Sequence, residues 1–455
     1  MNEFASIQLN KKSSTPVYRQ LGEALSHLIA DGVLQPHHKL PPIRKMANGL
    51  RINNDTVINA YKYLESIGAV YSVIGSGTYV SYPSEQDSTF ALAAPRGKTG
   101  VNFADSGPSP ELFPSKALKL SFGEALEREG AAAFSCSDSR GSEELRKAFS
   151  KRMSLDGIFT PHDYIQIISG TQNAADIISR WLSLGDCVFI EKPALMGMAS
   201  VFESKGIQTV GVKSDSCGLS LKNLTELLKT FKPKLLCTAA NFRQPASAGC
   251  TADGKKLLDL AYAYKFQILE DDSFGDFVPL KEKTPAIKAM DRRNAVIYVK
   301  TFNRLAGIKL GFMTLPSKRQ GPKATSFIQA SGITQKAFSI FYQNEAFDEF
   351  ASKMRLALSE RLEDALAAAD AYLSDETDIA RSLSGACLWI RFRALANPDA
   401  LYNRLLQRNV IVIPGSVYSL DNAWMCLYLS GVEKGRIVEG IRIIAEEVKR
   451  LGTLS

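Results

Sequence analysis

The first 82 residues place apolar side chains at helical spacing and then change to short alternating stretches. After Thr15-Pro16, apolar residues recur every third or fourth position and predict one buried helix face, formed by Val17, Leu21, Leu25, Leu28 and Ile29. A second, short helix is predicted to start at Pro41-Pro42 and to end at Gly49-Leu50. A third helix has an apolar face of Val57, Tyr61 and Leu64, and residues 69–73 and 78–80 are predicted to be strands.

The outward side of the third helix is polar, and Asn53 before it suits an N-cap because its side-chain oxygen can accept from a first-turn N–H. Three helices and a hairpin with a tight Gly75-Ser76-Gly77 connection predict a winged helix-turn-helix, whose third helix enters the DNA major groove at its start. Asn and Thr can bond base edges there, and a glycine wing can approach the sugar-phosphate backbone. The candidate DNA-binding residues are Arg44, Asn53, Asn54, Asp55, Thr56, Asn59, Ser76 and Gly77. A helical capping domain with a hairpin is the alternative interpretation.

From Val101 onward, short apolar strands alternate with helical stretches, which predicts a mostly parallel sheet in an α/β fold. The predicted strands cover residues 164–168, 187–190, 235–237, 266–269 and 295–299. Residues 345–455 predict a smaller α+β part with strands at 386–390 and 410–413. Residues 83–100 lack apolar periodicity and are predicted to be a linker. The expected division is therefore a DNA-binding domain over 1–82, a linker over 83–100 and a large domain over 101–455.

Composition and charge fit a soluble protein of several domains, with 455 residues, 45% apolar content and a net charge of +8. The first 82 residues hold eight Lys/Arg against five Asp/Glu, so a DNA site there depends on placement and on the paired heads of a dimer more than on bulk charge. Seven widely spaced cysteines without a C-x-x-C pair predict reduced thiols of a cytoplasmic protein and no metal site. No secretory signal and no membrane span are expected, because the first residues lack signal features and no run of 18 apolar residues occurs.

Four motifs in the first 82 residues resemble the GntR family of bacterial regulators. They are Pro16-Val17-Tyr18-Arg19-Gln20, residues 40–44, the helix 56–64 and the wing 75–80, in the order of the family. At the start of the recognition helix the family usually has Ser-Arg-Asn, where this chain has Asn53-Asn54-Asp55. The missing arginine and the added carboxylate imply weaker attraction to phosphate and a different base preference.

The rest of the chain resembles the fold-type I aminotransferases that depend on pyridoxal phosphate, and the whole chain resembles the MocR/GabR regulators. The resemblance rests on residues 103–114, 169–172, 185–193, 270–272 and Pro414-Gly415. It implies an aminotransferase-like effector and dimerisation domain over 101–455, with 345–455 as its smaller α+β part. It also implies a homodimer, often head-to-tail in these regulators, and an operator of double-stranded DNA with paired half-sites.

The resemblance implies a site for pyridoxal phosphate, and part of that site is present in the sequence. Gly170, Thr171 and Gln172 lie between a strand and a helix, where N–H groups can hold a phosphate. Asp271 aligns with the carboxylate that pairs with the ring nitrogen, and Thr301 keeps a hydroxyl of the family's S-x-S-K segment. A simple polar strand end is the alternative interpretation of Asp271.

Other positions of that site depart from the family. The Schiff-base lysine aligns with Arg304 and the phosphate-binding arginine with Lys309, in a segment that is two residues shorter. A guanidinium stays protonated, so Arg304 cannot form a Schiff base, and Lys300 is not expected to replace it. The remaining departures are Leu195 for the stacking tyrosine, Ser273 for the tyrosine after the ring carboxylate, Gln244 in the N-P-[TS]-G-like turn and Cys426 for the carboxylate-binding arginine.

Together these residues predict a DNA-binding transcriptional regulator whose aminotransferase-like domain dimerises and has no catalytic residue. No covalent cofactor is expected. Whether the pocket binds a small anionic ligand is left open by the sequence. One alternative is a regulator that binds pyridoxal phosphate noncovalently through Thr171, Asp271, Thr301 and Lys309. The other is a working aminotransferase with an accessory head.

Overall fold

The structure, a computed structural model, describes most of the chain, and its two compact units are residues 1–93 and 94–455, here called the head and the body. The described residues are 4, 7, 9–10, 15–30, 34, 38–66, 70–73, 77–80, 100–135, 138–192, 195–215, 218–239, 253–279, 283–303, 308–317, 330–373, 377–381, 385–393, 398–418, 420 and 423–452. Ser76, Gln244, Arg304 and nearly all of the predicted linker lie outside these residues, so the predictions made for them stay predictions.

The head contains three helices and an antiparallel hairpin. They are α1 (Val17–Ala30), α2 (Ile43–Leu50), α3 (Asn54–Ser66), β1 (Val70–Val73) and β2 (Gly77–Val80). In the hairpin Val73 is paired with Gly77. The backbone N–H of Leu40 donates to Thr78 O at 2.9 Å, so the segment before α2 extends along β2. The three helices and two strands predicted for the head are confirmed.

The buried face of α3 joins the head into one core. Val57 and Leu64 are fully buried, and they share a cluster with Leu21 and Leu25 of α1. The hydroxyl of buried Tyr61 donates to the carbonyl of Pro41 at 2.8 Å, which fixes α3 to the start of α2. Packing against α1 and this hydrogen bond to the start of α2 hold α3 in place. The polar side of α3 therefore has a fixed position in the head.

The body contains the remaining elements, named here in chain order. Its helices are α4 (Ser115–Glu129), α5 (Glu143–Leu155), α6 (Thr171–Ser179), α7 (Met196–Glu203), α8 (Leu221–Leu228), α9 (Gly254–Tyr264), α10 (Ile287–Met290), α11 (Gly332–Gln343), α12 (Glu345–Leu373), α13 (Pro398–Gln407) and α14 (Lys434–Gly452). Its strands are β3 (Val101–Asn102), β4 (Ile165–Ile168), β5 (Cys187–Lys192), β6 (Gln208–Asp215), β7 (Gly218–Leu219), β8 (Pro233–Thr238), β9 (Gln267–Asp271), β10 (Val296–Thr301), β11 (Gly311–Thr314), β12 (Thr377–Arg381), β13 (Cys387–Phe392), β14 (Val410–Ile411), β15 (Ile413–Pro414) and β16 (Trp424–Tyr428). No helix of the described part is long and apolar enough to cross a membrane.

The larger part of the body is built on an eight-stranded sheet with the order β4-β11-β10-β9-β8-β5-β6-β7. Strands β5, β6, β8, β9 and β10 run parallel, whereas β11 is antiparallel to both of its neighbours, β10 and β4. Since β4 and β10 are both antiparallel to β11, they share one direction. The predicted α/β fold with a mostly parallel sheet is confirmed, and all five strands predicted for this part are present.

Three strands of this sheet were not predicted: β7, which has only two residues, and β11 and β6, whose sequences lack a strong strand pattern. Strand β11 has only four residues and follows directly after Lys309-Leu310. Strand β6 carries Gly211 in its middle and charged or polar residues at its end. Both become strands because buried neighbours pair with them along much of their length, a tertiary effect that overrides local preference.

The smaller part of the body has an antiparallel sheet with the order β12-β13-β16-β15. The single strand predicted over 410–413 is wrong: Val410–Ile411 pair parallel with β3, and Ile413–Pro414 pair antiparallel with β16. The chain changes partner between them, since the segment that starts the body packs beside this sheet. Val101 and Phe103 are buried in the same cluster as Leu388 and Leu427.

Arg361 in α12 connects the smaller part to the segment that follows β3. Its side chain is 2% exposed, and its guanidinium donates to the carbonyls of Leu429 and Ser430, at 3.1 and 2.7 Å. It also donates to Ser109 Oγ and to Glu111 Oε1, both at 2.6 Å. One buried cation therefore satisfies acceptors from two separate segments.

Replacement of Arg361 by Met should lower the free energy of unfolding by about 3 kcal/mol, because its buried acceptors lose a charged donor that methionine cannot replace. Arg393→Met is the matched control, since Arg393 forms an exposed pair with Asp378 at 2.8 Å and should cost at most about 1 kcal/mol. Urea denaturation of both variants measures the difference. Equal losses would contradict the role given to Arg361.

Candidate nucleic-acid interface and candidate cofactor site

Outside the wing, the candidate DNA-binding residues of the head lie at the start of α2, in the turn between α2 and α3 and in the first turns of α3. Arg44, Asn54, Asp55 and Asn59 are exposed, whereas Thr56 is half-buried. Asn53 precedes the helix, and its Oδ1 accepts from the backbone N–H of Thr56 at 2.8 Å and from the hydroxyl of Thr56. The predicted N-cap is therefore confirmed, and it fixes the start of α3 relative to the turn before it.

The turn before α3 is held by backbone geometry. Arg51 ends α2 in the left-handed conformation, with φ 52°, and its N–H reaches back to carbonyls of the last turn. Helices usually have glycine at this position, so an arginine here carries no sequence signal for the turn. Gly77 opens β2 at the base of the wing, opposite Val73.

The candidate cofactor site of the body lies at the carboxyl ends of β4, β9 and β10. These strands run in one direction, so Gly170, Asp271 and Thr301 all follow or end strands at the same edge of the sheet. In open α/β sheets, ligands bind at this edge.

Three of the predicted site residues are joined by hydrogen bonds. Asp271 is 9% exposed, and its Oδ1 accepts from the backbone N–H of Ser273 at 2.9 Å and from Ser273 Oγ at 2.5 Å. Ser273 Oγ lies 2.8 Å from Thr301 Oγ1 and accepts from the backbone N–H of Thr301 at 3.1 Å. The hydroxyl of Ser273 therefore bridges the ends of β9 and β10, a role that its alignment with a lost tyrosine did not suggest.

The start of α6 brings a second polar group to this edge. Gly170 precedes the helix, and the N–H groups of residues 171–173 have no partner within the helix, as at any helix start. A Cβ at Gly170 would lie 3.3 Å from Asn303 Nδ2, so the loop after β10 meets the start of α6 closely. The side chain of Gln172 points towards Gly197 of α7 at a similar distance. Asn303 was missed from the sequence because only the strand pairing brings it here.

Two further predicted site residues lie in apolar surroundings. Leu195 and Cys426 are buried in one cluster with Trp389. Trp389 is paired with Cys426 across β13 and β16, and its ring packs edge-on against Tyr418, with the ring centroids 5.1 Å apart. The indole N–H of Trp389 is fully buried and has no hydrogen-bond partner among the described residues. Leu195 and Cys426 are therefore part of a packed apolar core.

Lys300 lies on the opposite face of the sheet from Asp271. Successive side chains of a strand point to opposite faces, so Thr301 faces Ser273 and Lys300 faces away. Lys300 is 4% exposed, and its Nζ lies 2.8 Å from Asp276 Oδ1 and 3.7 Å from Asp272 Oδ2. Burial alone would favour the neutral amine, but the two carboxylates outweigh it and raise the pKa of Lys300 above its usual value. The expectation that Lys300 does not replace the Schiff-base lysine agrees with this geometry.

Asp276 is the partner that the sequence analysis missed. It follows Asp272 at a spacing of four residues, in a short helical turn over Gly275–Phe277. Burial opposes its ionisation, yet the ammonium of Lys300 lowers its pKa. Lys309, by contrast, is exposed on the segment before β11. Within the described ranges no group of three or more His, Cys, Asp and Glu could hold a metal ion.

Two family models match the chain. The model of the family Aminotransferase class I and II matches residues 106–441, and that of Bacterial regulatory proteins, gntR family, matches residues 17–80. The chain therefore belongs to the aminotransferase class I and II family and carries a GntR-family helix-turn-helix domain before it. The resemblance inferred from the sequence motifs is confirmed.

Relatives that are named as regulators align along almost the whole chain. The chain is 27% identical over 434 residues to the Escherichia coli (strain K12) protein named uncharacterized HTH-type transcriptional regulator YdcR, and the match covers 90% of this chain and 93% of that protein. It is 26% identical over 474 residues to the probable rhizopine catabolism regulatory protein MocR of Rhizobium meliloti, over 95% and 94% of the two chains.

Solved aminotransferase structures share the fold of the body. Kynurenine aminotransferase of Pyrococcus horikoshii has a TM-score of 0.72 at 24% identity, over 81% of this chain and 94% of that chain. The α-aminoadipate aminotransferase LysN of Thermus thermophilus has a TM-score of 0.69 at 22% identity, over 80% and 98%.

Replacement of Lys300 by Met should lower the free energy of unfolding by about 3 kcal/mol, because Asp276 and Asp272 lose their buried cation. Lys309→Met is the matched control, since Lys309 is exposed, and it should change stability by less than about 0.5 kcal/mol. Chemical denaturation at neutral pH measures both. A stable Lys300→Met variant would show that the ion pair does not hold this face together.

Proposed function

We propose that the protein is a DNA-binding transcriptional regulator of the MocR/GabR type, with a body that is not a working aminotransferase. The observation that carries the proposal is the first turn of α3, a polar, exposed surface on a winged helix-turn-helix, fixed by the Asn53 cap. The names of the relatives, which are those of transcriptional regulators, support it. In this role the protein works in the cytoplasm, where operator DNA is accessible.

Two features of the body support the absence of aminotransferase chemistry. Lys300 pairs with Asp276 on the face of the sheet opposite Asp271. Arg304 stands at the position aligned with the Schiff-base lysine. Cys426 stands in place of the arginine that grips a substrate carboxylate and is buried beside Trp389. The residues present therefore do not fit a covalently bound pyridoxal phosphate, and we assign no catalytic step to the site.

A second candidate is a regulator that binds pyridoxal phosphate noncovalently. Buried Asp271, the hydroxyl of Thr301 and the N–H groups at the start of α6 lie at the same edge of the sheet. These groups suit a ring nitrogen and a phosphate, and exposed Lys309 can add a positive charge. The same donors would suit another small anionic effector.

The regulator is proposed to act as a homodimer through its body. A groove of about 390 Å³ runs between the start of α4 and α12, and Leu120 on its wall is 64% exposed. Leu356, on α12, is also 64% exposed, and Phe134 is 63% exposed. Contiguous patches of exposed apolar side chains mark interaction surfaces, and we propose that these three residues belong to one at the dimer interface. A head-to-tail dimer would present two heads to paired half-sites, and a monomer of undiminished DNA affinity would contradict this part of the proposal.

Arg44→Ala should weaken binding to every DNA sequence tested, because exposed Arg44 on α2 is placed to contact phosphate. The plot of log binding constant against log salt concentration should become less steep, by the equivalent of about one phosphate contact for each head. Arg19→Ala is the control within the head, since Arg19 lies on α1 and pairs with Glu23 at 3.4 Å. Fluorescence anisotropy with DNA fragments at several salt concentrations measures both. Absence of salt-dependent DNA binding by the wild type would refute the proposed function.

A further inference from the structure

We propose that Asp55 makes the recognition helix selective for a base that presents an amino group in the major groove, cytosine or adenine, at one position of each half-site. The inference rests on the proposed function and adds the base class that the head selects. It starts from the charge and hydrogen-bonding state of the first turn of α3.

The cap leaves Asp55 as the strongest acceptor of that turn. Oδ1 of Asn53 is occupied by the backbone N–H and the hydroxyl of Thr56, so neither side chain offers its full bonding capacity to DNA. Asp55 is exposed, and within the described part of the head its carboxylate has no hydrogen bond or ion pair. Asn54 beside it is exposed as well. Residues 53–56 include no lysine or arginine, so this turn has no cation to read guanine.

The hydrogen-bond donors and acceptors that bases present in the major groove determine which bases Asp55 can bind. An ionised carboxylate only accepts hydrogen bonds. Cytosine N4 and adenine N6 donate in the major groove, whereas guanine presents N7 and O6 and thymine presents O4, all of them acceptors. Asp55 close to guanine or thymine would therefore face an acceptor without a proton between them. It also repels the DNA phosphates, and only a specific bond to a base offsets that repulsion.

The test uses the full-length protein and duplexes selected from a randomised pool at one fixed salt concentration. All four base pairs are then placed in turn at each position of the selected half-site, and affinities are measured for the wild type, Asp55→Asn and Asp55→Ala. Glu65→Gln is the matched control, because it removes the same charge from an exposed residue near the other end of α3. The affinity for the unselected random pool gives the strength of sequence-independent binding.

We expect the wild type to favour, at one position, the two base pairs that place cytosine or adenine on one given strand over the two that place guanine or thymine on that same strand, by about 5- to 150-fold, the range of a good base contact. In Asp55→Asn and Asp55→Ala this ratio should fall towards one, while binding to unselected DNA stays equal or becomes tighter because a negative charge is lost. Glu65→Gln should keep the wild-type ratio.

Unchanged base preferences in both Asp55 variants would overturn the inference. A wild-type preference at the responding position that separates A·T from G·C pairs, or purines from pyrimidines, would overturn it as well, because neither grouping follows the strand that carries the amino group. The same relaxation in Glu65→Gln would also overturn it, because the effect would then be one of overall charge. If the wild type binds neither selected nor unselected DNA, the proposed function itself fails. That outcome is distinct from DNA binding that does not depend on Asp55.

Discussion

The alternation of side chains along β10 determines which of its residues face the candidate cofactor site. Thr301 points to the face that carries Asp271 and Ser273, and Lys300, one residue earlier, points to the opposite face. A shift of one residue would bring the lysine to the cofactor side, but it would also move Tyr298 out of the aromatic cluster and bury Val299 among carboxylates. The ion pair with Asp276 and the packing of β10 therefore fix the same register. Retention of an aminotransferase fold does not by itself keep a lysine in reach of the site.

On the cofactor side the site combines a preserved polar half with an apolar half. Asp271, Ser273 and Thr301 form a connected set of acceptors and hydroxyls at the strand ends. Leu195, Cys426 and Trp389, by contrast, belong to the core cluster that also covers the large sheet. The buried N–H of Trp389, which has no partner in the described part of the chain, is a cost that such a core normally avoids. Leu195, Cys426 and Trp389 thus contribute to the packing between the two parts of the body.

The head and the main strands could be predicted because their signals are local. Asn53 as a cap, the inward triplet of α3 and the apolar runs of β4, β5, β8, β9 and β10 follow from periodicity and from one-turn side-chain chemistry. The missing pieces depend on contacts far apart in sequence. Strand β11 exists because β4 and β10 pair with it, and residues 410–414 are split because β3 pairs with the first half. Resemblance grouped Asp271, Ser273 and Thr301 in one site, but the bridge that Ser273 makes and the contact of Asn303 with Gly170 required the three-dimensional arrangement.

In the proposed function, a DNA-reading head is joined to a body that does not hold pyridoxal phosphate by a covalent bond. The most direct measurement is reduction of the full-length protein with borohydride in the presence of stoichiometric pyridoxal phosphate, followed by peptide mass mapping. The wild type and Lys300→Met should both show no adduct at a single defined lysine, whereas an aminotransferase treated alongside should be labelled at its active-site lysine. A stoichiometric adduct on one lysine of the wild type would contradict the account. Its loss in Lys300→Met would show that Lys300 reaches the cofactor side after all.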